Sequence, residues 1–492
     1  MLVAVLGLLL LWRVAALLLN GHDLFVDEAQ YVVWARDLAA GYYSKPPLLA
    51  WLIGGAVRVC GEGQACVRGM ASLLYALAAL VLFHGLKPVL GARPALYGAL
   101  ALVFAPLPAL YGLFVSTDAP LLLASALFVH RTLAVLRDPR AANWLGLGAV
   151  SGVGLLAKYS FALLPVALAL HLLLSADGRR HLRTVGPWLA ALAALAVCSP
   201  NLLWNAQHAF ITFTHTAEIS QVDRSGVHPG GLALFLAGQL LAFGPASFWV
   251  LLSGTAAALR PAAPAQRQAL HCLIALGAVP LAFFALLALL SRANLNWPMF
   301  AFVPLAALAG WAMAAQSRER ALRVTVATTV LLLAVIQHFP GWVRLSGLQP
   351  AYRADPFGRL QGWQDASRQA ADWLARHPDA DPLTDSRTVA AELLYYAPAL
   401  SSRLAMWNPT GRVGDHYRLT RDLAARPPGG HYLYLGAAPD LNGLRAGFDR
   451  VQPLGRIEVR THRDHAIRLD VVALDGFRGY AGVSAMSRPD AD

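Results

Sequence analysis

Residues 1–20 read MLVAVLGLLLLWRVAALLLN, an apolar run whose one charged side chain is Arg13. A helix of this length rises about 30 Å, which matches the hydrocarbon core of a bilayer. The run has no basic start and no small-x-small cleavage site, so it predicts a retained membrane span and not a signal peptide. Arg13 lies in mid-span and is expected to face a bundle interior or a cavity.

Similar runs recur through the first 340 residues and dominate the composition. Apolar residues make up 57% of the 492 residues, charged residues make up 14%, and the mean hydropathy is +0.50. Because soluble domains carry about 25% charged residues, this composition excludes an ordinary soluble protein. Splitting the runs at Gly, Pro and Arg predicts about eleven spans, near residues 2–20, 66–86, 94–114, 119–136, 142–157, 160–176, 185–203, 231–253, 269–290, 297–315 and 321–340.

The net charge of +12 is explained more simply by basic loops between membrane spans than by nucleic-acid binding. With a cytoplasmic N-terminus, every inner loop is basic, as at Lys87, Arg137 and Arg179, whereas the outer loops mix fewer basic residues with acids. The positive-inside rule therefore selects this orientation. It places the first loop (21–65) and everything after about residue 341 outside the cytoplasm.

The last part of the chain changes character. Residues 363–376 form an amphipathic pattern, and residues 431–435, 456–460 and 465–474 alternate like strands. These patterns predict a small extracytoplasmic α/β domain over residues 345–492, after a membrane domain over residues 1–340. The sequence shows no internal repeat of the kind found in transporters built from inverted halves.

The first loop contains two predicted helices. Apolar and aromatic residues recur at helical spacing between positions 31 and 38, which predicts a short amphipathic helix after Asp27. Pro46-Pro47 suit the first turn of a second helix, which we expect to extend to about Val59. Both segments are rich in Trp and Tyr, as is typical of helices lying on a membrane surface.

The four cysteines fall into two groups. Cys198 and Cys272 lie in apolar runs and are expected to act as small hydrophobic residues. Cys60 and Cys66 bracket a short turn on the outer side, where a disulfide can form, but their spacing does not decide whether it does.

Two charged residues of the first loop each have two interpretations. Asp27 suits a helix N-cap with Gln30 in the capping-box position, and it also suits a general base held at the end of a rigid helix. Lys45 precedes a helix N-terminus, so it either snorkels to lipid headgroups or binds a phosphate.

The sequence FVDEAQY at 25–31, followed by GYYSKPPLLAW at 41–51, resembles the first periplasmic loop of a known superfamily. This is the superfamily of protein O-mannosyltransferases and aminoarabinose lipid A transferases, which are integral membrane glycosyltransferases of the C-type fold. Hydropathy extends the resemblance over about the first 340 residues. Weaker matching motifs are STDAP at 116–120, LAKY at 156–159, PNLLWNAQH at 200–208 and NLNWP at 294–298.

The resemblance implies specific roles. Asp27 matches the essential first-loop aspartate, assigned as general base or acceptor-orienting group, with Glu28 beside it, and Asp118 matches a second acid that assists. Lys45 matches the lysine near the polyprenyl phosphate, and we group Tyr31 with it. In the aminoarabinose transferases a Glu precedes this Lys; here it is Ser44, which leaves the acceptor and any metal site open.

Further polar residues lie at the predicted outer ends of spans. Lys158 and Arg292 are either second contacts to the donor phosphate or snorkelling cations. His208 and His215 fit no metal-binding spacing and are expected at the surface. The sequence therefore supports no metal site and no cofactor.

These observations predict a mainly α, polytopic helical bundle with a small α/β domain. The predicted enzyme is a hexosyl or pentosyl transferase that moves a sugar from polyprenyl phosphate to a lipid, glycan or protein acceptor. Its reaction takes place at the periplasmic face of the bacterial inner membrane. The alternative is a transporter or lipid flippase, which predicts ionisable pairs at the midplane of several spans. Apart from Arg13, the candidate charges lie at span ends and in loops, which favours the enzyme.

Overall fold

The computed structural model describes residues 1–221, 226–258 and 264–481. The chain forms two compact units: a helical unit, Met1–Leu19 with Leu38–Phe339, and an α/β unit, Asn20–Asp37 with Pro340–Asp492. This division differs from the predicted one because Asn20–Asp37, assigned to the membrane domain, packs with the C-terminal part of the chain. The last residues of the predicted α/β domain, 482–492, lie outside the described residues.

The helical unit contains most of the helices before the sheet; Val26–Arg36 lies in the α/β unit, and Phe339–Ser346 lies there from Pro340 onward. In chain order the first eighteen helices are α1 (Leu2–Asn20), α2 (Val26–Arg36, in the α/β unit), α3 (Leu48–Cys60), α4 (Gln64–Leu90), α5 (Ala92–Val103), α6 (Pro106–Tyr111), α7 (Asp118–Arg137), α8 (Ala141–Ala157), α9 (Leu163–Leu174), α10 (Ala176–Leu182), α11 (Gly186–Gln207), α12 (Ile211–Ser220), α13 (Pro229–Phe243), α14 (Pro245–Ala258), α15 (Pro264–Leu290), α16 (Phe302–Ala315), α17 (Glu319–Gln337) and α18 (Phe339–Ser346). Short 3-10 turns, Tyr159–Ala162 and Met299–Ala301, precede α9 and α16.

Several of these helices can cross a membrane. Among the described residues, five are long and apolar enough: α1, α4, α7, α11 and α15. Three bent pairs, formed by α9 with α10, α13 with α14 and α17 with α18, raise the number to eight if each pair is one span. Four shorter apolar helices remain: Leu48–Cys60, Ala92–Val103, Ala141–Ala157 and Met299–Ala315. The chain is a multi-pass membrane protein, and the number of about eleven spans stays a prediction.

Helix α1 is apolar on all sides apart from Arg13 and the terminal Asn20, yet only one of its faces is buried. Its buried residues form a single stripe, Leu2, Leu6, Leu9, Arg13 and Ala16, while other apolar side chains of the helix are exposed. In a bilayer that second face contacts lipid, so burial does not require polar residues on the opposite side. Arg13 lies on the buried stripe, as predicted, and donates a 2.8 Å hydrogen bond to the carbonyl of Ala109.

Small residues let neighbouring helices approach closely. A Cβ atom at Gly148 of α8 would lie 2.1 Å from the carbonyl oxygen of Ala190 in α11. One at Gly310 of α16 would lie 2.2 Å from the backbone nitrogen of Gly98 in α5. Since lipid is as apolar as the side chains, such close backbone packing is a principal source of helix association in membranes.

The cysteines behave in two ways. Cys60 and Cys66 form a disulfide that joins the end of α3 to the first turn of α4, with Cα atoms 5.7 Å apart. Cys198 and Cys272 are buried thiols, which agrees with their expected role as small hydrophobic residues.

The α/β unit is built on a five-stranded sheet. Its strands are β1 (Asp381–Thr384), β2 (Ala405–Met406), β3 (Gly429–Gly436), β4 (Phe448–His462) and β5 (His465–Phe477), in the order β2-β1-β3-β5-β4. Strand β1 pairs in parallel with β2 and β3, whereas β5 pairs antiparallel with β3 and β4. Four further helices follow in the chain: α19 (Trp363–Ala375), α20 (Arg387–Tyr396), α21 (His416–Arg421) and α22 (Leu441–Gly447).

The core of this unit follows the alternation seen in the sequence. Residues such as Leu383, Tyr432, Val472 and Leu474 are buried together across the central strands. The strand predictions at 431–435, 456–460 and 465–474 are confirmed by β3, β4 and β5, and α19 confirms the amphipathic helix. The helix predicted after Asp27 is present as α2, and its residues from Val26 to Ala35 are buried except Asp27. Its position at a membrane surface stays a prediction.

Candidate active site

The residues singled out in the sequence fall in both units. Asp27, Glu28 and Tyr31 belong to α2 in the α/β unit. Lys45, Asp118, Lys158 and Arg292 belong to the helical unit.

Helix α2 is buried along nearly its whole length. Of the residues from Val26 to Ala35, Asp27 alone is not classed as buried, and 43% of its side chain is exposed. The helix begins one residue before Asp27, with Phe25 at the N-cap. The predicted N-cap role of Asp27 is therefore wrong. The capping is done by Glu28, whose Oε2 accepts a 2.9 Å hydrogen bond from the backbone N–H of Phe25.

The carboxylate of Asp27 is held by an arginine that sequence reasoning missed. Nη1 of Arg387 donates to Asp27 Oδ1 at 2.8 Å and lies 3.4 Å from Oε1 of Gln30. Within the described ranges, Arg387 is the hydrogen-bonding and ion-pair partner of this carboxylate. Arg387 opens α20 in a region that carries no known motif. The local signal in the sequence is Ser386 directly before it, a residue type favoured at helix N-caps.

The other two residues of this helix have less access to a substrate. Glu28 is 1% exposed and is committed to the helix cap. Tyr31 is buried, and its ring meets that of Trp34 edge-on, with centroids 5.5 Å apart. These positions fit structural support of Asp27 better than direct contact with a ligand.

Asp23 anchors the chain just before α2. Its Oδ2 accepts hydrogen bonds from the backbone N–H groups of Trp363 (2.8 Å) and Gln364 (3.2 Å), so it caps α19 from a distant part of the sequence. Burial raises the pKa of Asp23, while the two N–H donors act in the opposite direction. The hydroxyl of Tyr396 accepts from the N–H of Leu24 at 2.9 Å and ties the same segment to α20.

In the helical unit, Lys45 lies in a turn directly before α3. Its carbonyl oxygen accepts a 3.2 Å hydrogen bond from the N–H of Tyr42, which closes the turn. Pro47 occupies the N-cap of α3, and the helix ends at Cys60. The predicted second helix is confirmed, and Lys45 lies at its positive end, partly exposed.

The carboxylate of Asp118 is the centre of a buried polar cluster. Its Oδ1 accepts from Nζ of Lys158 at 2.9 Å, and its Oδ2 accepts from Nδ2 of Asn296 at 2.8 Å. Asp118 is 2% exposed and opens α7, Lys158 follows α8, and Asn296 precedes the turn before α16. One carboxylate thus joins three elements, each carrying a motif noted in the sequence.

A second polar cluster fastens the segment that leads to Lys45. The hydroxyl of Tyr159 donates to Oδ1 of Asn201 at 2.8 Å and accepts from Nδ2 of Asn205 at 3.0 Å. Nδ2 of Asn201 donates to the carbonyl of Ala40 at 2.8 Å, and the hydroxyl of Thr212 donates to the carbonyl of Tyr42 at 2.8 Å. Asn201 and Asn205 of the 200–208 motif therefore have a structural role, because Asn201 binds the first loop and both residues hold Tyr159.

The remaining polar residues show no metal site. Arg292 is exposed. The ring of His208 stacks on Trp204, and the ring of His215 packs against Tyr43. Within residues 1–221, 226–258 and 264–481, no group of three His, Cys, Asp or Glu residues could hold a metal ion.

Comparison with known proteins identifies the family. Residues 44–204 match the family model described as dolichyl-phosphate-mannose-protein mannosyltransferase. Over 416 residues, the chain is 32% identical to the lipid A galacturonosyltransferase RgtD of Rhizobium johnstonii, covering 83% of this chain and 85% of that protein. The chain belongs to the C-type-fold superfamily of protein O-mannosyltransferases and aminoarabinose lipid A transferases. It is a membrane glycosyltransferase.

Two further relatives of this glycosyltransferase agree. The undecaprenyl phosphate-alpha-4-amino-4-deoxy-L-arabinose arabinosyl transferase of Pseudomonas aeruginosa is 30% identical over 378 residues, covering 69% of this chain and 65% of the relative. The crystal structure of ArnT from Cupriavidus metallidurans bound to undecaprenyl phosphate has a TM-score of 0.63 at 17% identity, covering 96% of this chain and 97% of that one. That likeness confirms the fold, including the small sheet that follows the helical bundle.

Proposed function

We propose that this glycosyltransferase moves galacturonic acid from a polyprenyl-phosphate carrier to lipid A at the periplasmic face of the inner membrane. The similarity to RgtD supports the sugar and the acceptor, because it extends along 85% of that protein's length. The observation that carries the chemistry is the exposure of Asp27. On a helix otherwise buried from Val26 to Ala35, this carboxylate is the side chain that a substrate can reach.

Asp27 is assigned as the general base. An acceptor hydroxyl attacks the anomeric carbon, the bond between that carbon and the phosphate oxygen breaks, and the hydroxyl proton passes to Asp27. Polyprenyl phosphate is the leaving group, so a single displacement inverts the anomeric configuration. No nucleotide is needed because the carrier lipid already activates the sugar.

Lys45 is assigned to the phosphate of the donor. Negative charge grows on this phosphate as the glycosidic bond breaks, and a fixed cation stabilises it. The N-terminus of α3 begins at Leu48, after Pro46 and Pro47, and its first backbone N–H groups also favour an anion.

Asp118 and Lys158 are assigned a supporting role. Because its two oxygens are engaged by Lys158 and Asn296, Asp118 is fixed in place and poorly available to take a proton. We infer that Asp118 orients the ammonium group of Lys158, of which 18% of the side chain stays exposed, toward the donor phosphate. Arg292, which is exposed, is a further candidate for that phosphate.

A second donor is favoured by a different observation. The fold matches ArnT over nearly the full length of both chains, and a Pseudomonas relative is an aminoarabinose transferase. Transfer of a pentose is therefore the alternative to transfer of galacturonic acid. No relative named above is a transporter, so the comparisons give the flippase reading no support.

We also propose a topology with a cytoplasmic N-terminus and a periplasmic α/β unit. The five long helices, the three bent pairs and the three shorter helices Ala92–Val103, Ala141–Ala157 and Met299–Ala315 coincide with the predicted spans. If all of them cross, the number is about eleven. Helix α3 then lies along the outer surface, consistent with its one buried face.

The test is a transfer assay in nanodiscs with defined polyprenyl-phosphate donors and lipid A. We expect Asp27→Asn to lower kcat at least a hundredfold, because a general base contributes about 10²–10⁴-fold. Lys45→Ala should lower kcat/KM strongly. The matched control is Asp365→Asn, which removes an exposed carboxylate paired with Arg368 in the same unit and should leave transfer unchanged. Full activity in the Asp27→Asn enzyme would overturn the mechanism.

A further inference from the structure

Arg387 occupies a place in the α/β unit where ligands commonly bind. Strand β1 ends at Thr384 and is paired in parallel on both sides. After the turn Asp385-Ser386 the chain enters α20 at Arg387, and Oγ of Ser386 caps the helix by accepting from the N–H of Val389. The β2-β1-β3 part of the sheet is parallel, and in open parallel α/β sheets ligands bind just beyond the carboxyl ends of the strands.

The first-loop segment brings Asp27 to this place. Helix α2 packs on α20, and Arg36 at its end donates hydrogen bonds to the carbonyls of Leu394 (2.5 Å) and Tyr395 (3.3 Å). The two helices are thus joined at Asp27–Arg387 and again at Arg36. A guanidinium group therefore stands beside the proposed base because of packing along the helices, and not through a flexible surface contact.

Asp27 and Asp415 both interact with Arg387, and they differ in how easily an incoming anion could displace them. Asp415 is 4% exposed, and its Oδ1 accepts from the N–H groups of Tyr417 (2.8 Å) and Arg418 (2.9 Å), so it is fixed in the cap of α21. Asp27 uses one oxygen, Oδ1, for Arg387 and keeps 43% of its side chain exposed. Partly exposed ion pairs contribute little to stability, so an incoming anion can compete for this arginine.

We propose that Arg387 binds an anionic oxygen group of the substrate in exchange for Asp27, and that this exchange frees the carboxylate to act as base. The proposal rests on the proposed function. The guanidinium fork suits either the carboxylate of a uronic sugar or the phosphate of the carrier. Arg387 is then a specificity-determining residue that couples arrival of an acidic substrate to activation of the base.

Equilibrium binding to the full-length protein in nanodiscs tests this without turnover. Three probes are compared: polyprenyl phosphate, polyprenyl-phospho-galacturonate and polyprenyl-phospho-galactose. Because Asp27 competes for Arg387, we expect Asp27→Asn to bind its anionic probe about two- to fivefold more tightly than wild type. Arg387→Met should bind about tenfold more weakly, Arg387→Lys should recover part of the loss, and Asp27→Asn should have no effect in the Arg387→Met background.

The pattern across probes identifies the anion. If Asp27→Asn raises the affinity for the galacturonate probe alone, Arg387 is assigned to the sugar carboxylate. If it raises the affinity for all three probes equally, Arg387 is assigned to the phosphate. No tightening by Asp27→Asn with any probe, or a loss of affinity in that variant, overturns the exchange. The matched controls are Asp470→Asn and Arg456→Met. Each removes one partner of the 2.7 Å ion pair between β4 and β5, and each should leave binding unchanged. Lack of transfer by wild type would reject the proposed function separately, since binding is measured without it.

Discussion

At the scale of single residues, the two acids predicted in the sequence have different environments, which is why we propose different roles for them. Among the residues that the structure describes, Asp27 is partly exposed and pairs with Arg387, whereas Asp118 is buried and has both oxygens engaged. A base must present a lone pair to the acceptor, while a support must be rigid. Their similar appearance in the sequence, each at the start of a helix, did not separate these roles.

The Asp118–Lys158 pair yields a prediction about stability. Lys158→Met removes the cation and leaves a buried carboxylate with one amide donor, which should lower the free energy of unfolding by about 3–5 kcal/mol. Asp118→Asn combined with Lys158→Met removes both charges and should cost clearly less than the single change. Thermal unfolding in a mild detergent measures both. Equal losses for the single and double variants would show that the pair is not coupled.

Asp23 yields a prediction about pH. Its pKa is raised by burial, so the folded protein holds this proton more tightly than the unfolded chain does. Its contribution is therefore most favourable below the unfolded pKa and is lost as the pH rises through the folded pKa. Asp23→Asn should flatten this fall in the stability of the α/β unit as the pH rises above the ordinary pKa of an aspartate. Hydrogen exchange at the amides of Trp363 and Gln364 measures it, with Asp470→Asn, which removes an acid of β5 paired with Arg456, as control.

At the scale of elements, the turn before α3 depends on one glycine. A Cβ atom at Gly41 would lie 2.4 Å from the ring of Trp204, so no larger residue fits while α11 holds this segment. Gly41→Ala should displace the turn that carries Lys45 and raise KM for the lipid donor by about tenfold, a shift of ~1.4 kcal/mol. Gly55→Ala in α3, where no atom lies within 4 Å, is the matched control and should be silent. Unchanged kinetics in the Gly41→Ala enzyme would show that α11 does not position Lys45.

The elements also show which features local sequence can specify. The Pro46-Pro47 start of α3, the helix at Trp363 and strands β3 to β5 were predictable because each follows from local turn chemistry or periodicity. The placement of α2 was not, because Asp23, Leu24 and Arg36 are bound by groups more than 300 residues away in the chain. The same long-range packing brings Arg387 to Asp27, so neither the partner nor the loss of the N-cap role could be found from spacing.

At the scale of the whole molecule, the disulfide and the buried thiols allow a direct test of topology. Disulfides persist in the periplasm and are reduced in the cytoplasm, so the Cys60–Cys66 bond fits the proposed outward orientation of the first loop. In a Cys198→Ala/Cys272→Ala background, Cys60 and Cys66 are the cysteines that remain. We expect a membrane-impermeant maleimide to label intact spheroplasts after mild reduction and to leave unreduced ones unlabelled.

The same background tests the position of the α/β unit. A cysteine introduced by Arg468→Cys lies on the exposed face of β5, where Arg468 pairs with Glu458 outside the core. If the α/β unit is periplasmic, this cysteine is labelled in intact spheroplasts, whereas one introduced by Arg179→Cys, in the predicted inner loop at α10, is labelled only after lysis. Labelling in the opposite order would place the carboxylate of Asp27 on the cytoplasmic side and exclude the proposed periplasmic reaction. The outcome therefore decides whether Asp27 can meet a donor presented at the outer face.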